Sequence, residues 1–347
     1  MRDWLARLEG GEIFAADDVH MLAGDILSAR FTDEEKADFL ERFHQRGESA
    51  GEIAALASAF LAKAEPFSVP DELGPVIDVC GTGGDRLGLF NVSTAAMFVA
   101  AGAGLRVVKH GNRGITSRSG GADVLEMLGI PVDSSVEKLS AMLEESRAVM
   151  LFAPRFHPSF KAIAPARKIL AARGSASVFN MLGPMLNPAR PSRQLAGVFA
   201  ESLLPLYADI LPQLGRQQAW VVHGRTAQGG VMDEISTLGP TFIMEIVAGG
   251  GTRRREFDAT AYFPRPADPS ALHGGDASEN AKLLLSILAG ETRGAPRDIV
   301  LLNAAGALQA GGLEASWSDA IERAAESLDS GAASQSLNTM RRIAGGD

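Results

Sequence analysis

The sequence predicts an α/β protein with two unequal parts: a small N-terminal helical domain over residues 1–68, and a larger α/β domain over 69–347 with a mostly parallel central sheet and flanking helices. Three observations lead there. Up to Phe67 the apolar residues recur only at helical spacing. Beyond Pro75, short β-rich runs alternate with glycine loops and Ala-rich stretches, which is the pattern of a parallel sheet covered by helices. The chain has 347 residues, 46% of them hydrophobic and 22% charged, which is too much core for one small domain.

The elements follow in order. Thr32 can cap a helix, with Glu35 at the reciprocal capping-box position and Phe39, Leu40 and Phe43 as its apolar face. Arg46-Gly47-Glu48 stops that helix. Ser49 caps the next, whose buried stripe is Ile53, Leu56, Phe60 and Leu61. The helical block ends at Glu65-Pro66, and a helical segment near 160–190 is expected to join it. Residues 76–80 form the first strand, followed by glycines and a helix over 93–103. A second strand at 105–108 leads into another glycine loop and a helix over 122–128. Further strands are expected at 148–152, 194–198, 219–222 and 242–247, with helices at 299–308 and 317–328 and a frayed tail at 341–347.

Composition narrows the function. A net charge of -9 counts against a nucleic-acid partner, which usually demands a basic surplus. The single cysteine, Cys80, excludes an internal disulfide and a thiolate-rich metal site, and reads as a small buried residue. The first ten residues lack the apolar core of a signal peptide, and the longest apolar run, 95–103, is too short to cross a bilayer. The expected compartment is the cytoplasm, with no membrane contact.

Two loops carry the chemistry. After the first strand come Gly81, Thr82, Gly83, Gly84 and Asp85; glycines there let several backbone N–H groups face one ligand. Asn91, Ser93 and Thr94 then open a helix at its positive end, which suits a pyrophosphate. The spacing matches neither G-x-G-x-x-G nor G-x-x-x-x-G-K-[ST], so it supports neither dinucleotide-binding nor P-loop readings. After the second strand, Lys109, Arg113 and Arg118 add positive charge, and His110 and Asn112 can hydrogen-bond an organic substrate. Asp233-Glu234 lies on a loop after Gly229-Gly230. Each also has a plainer explanation: a tight turn, helix caps, and a solvated acidic pair.

The succession Gly81-Thr82-Gly83-Gly84-Asp85, Asn91-Val92-Ser93-Thr94-Ala95-Ala96, Lys109-His110-Gly111-Asn112-Arg113 and Ser119-Gly120-Gly121-Ala122-Asp123 resembles the anthranilate phosphoribosyltransferases of tryptophan biosynthesis. His157-Pro158, Arg167, Phe179-Asn180-Met181-Leu182-Gly183-Pro184 and Asp233-Glu234 continue the resemblance in order over most of the chain. It implies phosphoribosyl pyrophosphate and anthranilate as substrates, Mg2+ as cofactor, and a homodimer paired through the helical domains. Residues 81–85, Asn91, Ser93, Thr94 and Lys109 would then bind the donor. His110, Asn112, His157 and Arg167 would line the acceptor site, and Gly121 would also bind substrate. Ser93, Asp233 and Glu234 would hold the metal, and Lys109, His110 and Arg167 would carry the chemistry. The chain departs from the family at 170–177 and at 225–232, both longer than usual, and at Gly121, where many members carry Ser. These departures bear on the acceptor more than on the donor and leave another aromatic acceptor open. A pyrimidine nucleoside phosphorylase would carry Lys-x-Ser-Gly-Arg-Gly at the second loop, which this chain lacks. A non-catalytic, nucleic-acid-binding relative would have lost the first glycine loop and gained basic surface.

Overall fold

A computed structural model describes residues 1–84, 87–114, 118–263 and 269–345. The chain opens with four helices, α1 (Arg2–Glu9), α2 (Ala16–Leu27), α3 (Asp33–Arg46) and α4 (Ala50–Leu61). The capping boxes expected at Thr32–Glu35 and Ser49–Glu52 are both formed. Glu52 does more than close its box. Its buried carboxylate accepts from the Phe14 and Ser49 N–H groups, both at 2.9 Å, and from the Arg46 guanidinium at 2.6 Å. Burial raises its pKa, but the Arg46 pair and these backbone donors outweigh it, and the net shift is down.

The remaining elements are β1 (Ile77–Gly81), α5 (Val92–Gly102), β2 (Val107–Gly111), α6 (Gly121–Met127), α7 (Val136–Ser146), β3 (Ala148–Phe152), α8 (Ala153–Phe156), α9 (Ala164–Arg173), β4 (Arg193–Gly197), α10 (Leu203–Gln213), β5 (Gln218–Arg225), β6 (Val231–Met232), β7 (Pro240–Ile246), β8 (Thr252–Asp258), α11 (Ala277–Leu288), α12 (Ala295–Ala310), α13 (Trp317–Asp329) and α14 (Ala332–Ala344). The sheet runs β3-β2-β1-β4-β5-β7-β8, with β6 paired to β5. β1 to β5 are parallel, and β6, β7 and β8 join antiparallel. The mixed α/β class with a mostly parallel sheet is therefore the observed one. Every strand expected from the sequence exists, with ends within three residues of their place; β6, β8 and helices α7, α8, α10, α11 and α14 were not foreseen. The tail is not frayed up to Ala344. α14 continues to that residue, where its carbonyl accepts from Lys138 Nζ at 3.1 Å.

Successive residues of β4 and β5 feed two apolar cores, as the two-residue period of a strand requires. Leu195, Trp220 and Val222 join the core formed with α5, α7 and α11 to α14. Ala196, Ala219 and Val221 join the core formed with α1 to α4, α9, residues 178–186 and α10. The long segment 170–177 is tied to α3. α9 ends at Gly174 in a left-handed conformation (φ 69°), and Arg173 pairs with Asp38 at 2.7 Å and Glu41 at 3.0 Å on α3. Among the described residues no helix is long and apolar enough to cross a membrane.

The topology fixes where a site can form. From β1 the chain moves outward through β2 and β3, then crosses back to place β4 on the other side of β1. That reversal leaves a crevice outside the carboxyl ends of β1 and β4, the usual ligand position in an open α/β sheet. For the helical block, Glu52→Ala should lower unfolding free energy by about 3 kcal/mol, because Arg46 is left without its partner and two buried N–H groups without an acceptor. Urea unfolding measures it, and a loss below ~1 kcal/mol would refute this role.

Candidate active site

At that crevice β1 and β4 end on glycine, Gly224 is the last residue but one of β5, and the chain segment after β6 crosses all three. A Cβ on Gly81 would lie 2.2 Å from Asp233 Oδ2, one on Gly197 1.7 Å from the Asp233 carbonyl, and one on Gly224 2.3 Å from the Glu234 carbonyl. Only glycine permits that approach at these three positions. The longer loop at 225–232 explains how the acidic pair arrives. It is a hairpin: Gly224 pairs with Met232 and Arg225 with Val231, and Thr226 N–H donates to the Gly230 carbonyl at 2.8 Å. On α12, Asn303 then clamps Ile235, accepting from its N–H at 2.8 Å and donating to its carbonyl at 3.0 Å.

Asp233 reaches the first glycine loop directly. Gly83 N–H donates to its Oδ2 at 2.7 Å. Burial pushes the carboxyl pKa up, opposed by Gly83, by its own N–H and by the charges of Lys109 and His223. A cation beside it would reverse the shift and stabilise the carboxylate. Thr82 ties the loop to β4: its N–H donates to the Gly197 carbonyl at 3.0 Å, and its hydroxyl accepts from Phe199 N–H at 3.1 Å. Gly83 and Gly84 take φ values of 69° and 85°, where glycine is favoured. Asp85 lies outside the described residues.

Lys109 is buried, and its ammonium donates to Ser93 Oγ at 3.0 Å and to the Val79 carbonyl. Thr94 is buried next to it, and a Cβ on Gly121 would come 3.0 Å from Thr94 Oγ1 and 3.8 Å from Lys109 Cε. A Ser at 121 would crowd this corner. Asn91 Nδ2 donates to the Ser119 carbonyl at 3.2 Å, tying the loop after β1 to the loop after β2. Arg113 does not face this centre. It pairs with Asp123 at 3.2 Å and with Glu126 on α6. Asn112 is exposed, and its side-chain oxygen accepts from the Arg113 N–H at 2.8 Å.

The proposed acceptor residues form a file of flat groups. His110 and His157 ring centres lie 5.4 Å apart, His157 and Phe160 5.2 Å, Phe160 and Phe179 5.8 Å, and the Arg167 guanidinium sits 5.5 Å from the Phe179 ring. Arg167 is half-buried with no carboxylate partner among the described residues, and burial lowers its pKa. His110 Nδ1 donates to the Gly183 carbonyl at 3.1 Å, and His157 Nε2 to the Leu186 carbonyl at 2.8 Å. Burial first, then the neighbouring His157, hold His110 down to about 3, so it is neutral. Neutral rings that donate on one side must accept on the other, and His110 Nε2 and His157 Nδ1 have no partner among the described residues.

Sequence reasoning missed the groups beneath these rings. Asp78 Oδ1 accepts from His110 N–H at 3.2 Å, and its Oδ2 accepts from the Cys80 thiol at 3.4 Å. Gln194 donates to Cys80 Sγ at 3.4 Å and to the Pro184 carbonyl at 2.6 Å, and accepts from the buried Arg216 at 3.0 Å. The circuit closes through the turn Gly183–Met185, which holds His110. Alternation alone would have read Asp78, Gln194 and Arg216 as solvent-facing.

The comparisons with known proteins place the chain in a family. Residues 73–334 match the family described as glycosyl transferase family, a/b domain. The anthranilate phosphoribosyltransferase of Rubrobacter xylanophilus is 41% identical over 343 residues, covering 99% of this chain and 97% of that protein. The chain belongs to the anthranilate phosphoribosyltransferase family. The fold of the family member from Thermus thermophilus superposes with a TM-score of 0.88 at 34% identity, covering 99% of both chains. The Saccharomyces cerevisiae family member in complex with PRPP and Mg gives 0.87 at 26% identity, covering 99% of this chain and 98% of that one.

The neutral His110 has a pH consequence. Its folded pKa lies below the ordinary 6.5, so the unfolded chain binds the extra proton and stability falls as pH drops below 6.5. At pH 5 the loss from this ring should be about 2 kcal/mol. In His110→Gln the decline between pH 7 and 5 should be correspondingly shallower in urea unfolding; an identical decline would mean that the ring is charged in the folded protein.

Proposed function

We propose that the chain transfers the phosphoribosyl group of phosphoribosyl pyrophosphate to the amine of anthranilate, releasing pyrophosphate, in tryptophan biosynthesis. The observation that carries this reading is the meeting of Asp233 with Gly83 beside the buried Lys109 at the sheet crevice. The amine nitrogen bonds to the ribose C1 as the bond from C1 to the pyrophosphate oxygen breaks; that electron pair leaves with pyrophosphate, and the amine gives up a proton. Negative charge grows on the leaving group, where the amides of residues 81–84 and Lys109 receive it. Asn91, Ser93 and Thr94 border the same space at the start of α5.

Asp233, Glu234 and Ser93 would hold Mg2+. Among the described residues no group of three or more His, Cys, Asp or Glu could hold a metal ion. Mg2+ takes one or two carboxylates and completes its shell with water and substrate phosphate. The ion supplies positive charge beside the pyrophosphate.

The aromatic acceptor would lie along the His110–His157–Phe160–Phe179 file. Arg167 would pair with its carboxylate through two parallel hydrogen bonds. The free ring nitrogens of His110 and His157 accept hydrogen, so they suit an amine and repel a carboxylate. Because an aromatic amine is neutral at pH 7, positioning rather than strong base catalysis carries the step.

We read residues 1–68, completed by the segment near 160–190, as the helical domain, supported by their common core. We read the active form as a cytoplasmic homodimer paired through that block, where Ile13 and Met21 are 57% and 58% exposed. Loss of anthranilate fluorescence with phosphoribosyl pyrophosphate and Mg2+ tests the reaction. Consumption should require all three components. Donor binding without anthranilate consumption would point to another aromatic acceptor, and absence of donor binding would overturn the proposal.

A further inference from the structure

An asparagine at the N-cap of a helix ordinarily turns its side chain back onto the first free N–H groups. Asn91 is the N-cap of α5, and its side chain makes no such bond. It is held elsewhere. Asn280 on α11, 4% exposed, donates from Nδ2 to Asn91 Oδ1 at 2.9 Å. Gly275 N–H donates to Asn280 Oδ1 at 2.8 Å, and Asn91 Nδ2 donates to the Ser119 carbonyl at 3.2 Å.

The polarity of this relay is fixed from both ends. A backbone N–H can only donate, so Asn280 must turn its oxygen to Gly275 and its nitrogen to Asn91. A backbone carbonyl can only accept, so Asn91 must turn its nitrogen to Ser119 and its oxygen to Asn280. Neither amide can flip without breaking two bonds. The chain around the relay is also strapped down. Phe90 N–H donates to the Leu272 carbonyl at 3.0 Å, and Gly274 N–H donates to the Gly88 carbonyl at 2.8 Å. Gly274 lies so close that a Cβ there would meet Phe90 Cα at 2.8 Å.

We propose that Asn280 is a positioning residue for the phosphoribosyl donor: it draws the Asn91 side chain off the start of α5, keeps that helix end uncapped for the donor's anionic groups, and ties the two substrate loops together. This rests on the reading of the site given under the proposed function. Without Asn280, the Asn91 side chain is free to cap its own helix. The helix gains a cap of its own and the donor meets a competitor for the same N–H groups. Affinity therefore falls while the new cap offsets the lost Asn280 bonds in stability, a split that a merely structural role would not produce.

The test is calorimetric titration of the full chain with phosphoribosyl pyrophosphate and Mg2+, with thermal unfolding alongside. Asn280→Ala should bind the donor about tenfold more weakly while its Tm stays near that of the unmutated protein. Asn280→Asp places a carboxylate against Asn91 Oδ1 and should bind more weakly still at pH 7.5. Its deficit should shrink toward pH 6, as protonation restores a donor in place of Nδ2. If Asn280→Asp does not fold, Asn280→Ala decides alone. Donor affinity within twofold of the unmutated protein, or a lowered Tm with unchanged affinity, would overturn the inference. Failure of the unmutated protein to bind the donor would instead bring down the functional reading on which it rests.

Discussion

The site depends on a volume that holds no spare carbon. Gly81 and Gly197 close β1 and β4 and Gly224 lies one residue before the end of β5; the Asp233 carboxylate lies against the first, and the backbone of Asp233 and Glu234 across the other two, at distances that exclude a Cβ. The hairpin at 225–232 and the Asn303 clamp deliver the acidic pair to that point. Remove the close approach and Asp233 no longer meets Gly83, so the loop at 81–84 keeps only the Thr82 bonds to the second half of the sheet.

Around this contact, charge is arranged in alternation. Lys109 sits between the fields of Asp78 and Asp233, and it lowers the pKa of both against the burial that raises them. Its ammonium rests on Ser93 and a backbone carbonyl, partners that it can exchange for phosphate oxygens at little cost. The acceptor side is built differently. Two neutral imidazoles, fixed in tautomer by the Gly183 and Leu186 carbonyls, stand beside a half-buried Arg167. On the proposed reading, one side of the crevice takes anions and the other tells an amine from a carboxylate.

Much of this was legible in the sequence because local rules decided it. The capping boxes at Thr32 and Ser49, the first five strands and the two glycine loops are short-range signals. What escaped was set by long-range contact. β8 is rich in arginine and reads as a solvated run, yet Arg253 and Arg255 pair with Glu245 across the β7–β8 ladder. Arg113 read as part of a basic loop, but Asp123 and Glu126 on α6 take its charge. The circuit through Asp78, Gln194 and Arg216 had no motif, since its members lie on three parts of the chain that only the sheet order brings together.

The central claim is that glycine at the end of β1 exists to admit the Asp233 carboxylate. Gly81→Ala tests it most directly, because the added Cβ strikes the movable carboxylate oxygen at 2.2 Å and stays 3.3 Å from the Asp233 carbonyl. The measurement is the Mg2+ concentration giving half-maximal activity, taken with thermal unfolding. The account predicts a rise of at least about tenfold, the loss of one well-placed ligand contact, with Tm changed by only a few degrees. An unchanged Mg2+ requirement in a folded Gly81→Ala protein would contradict it.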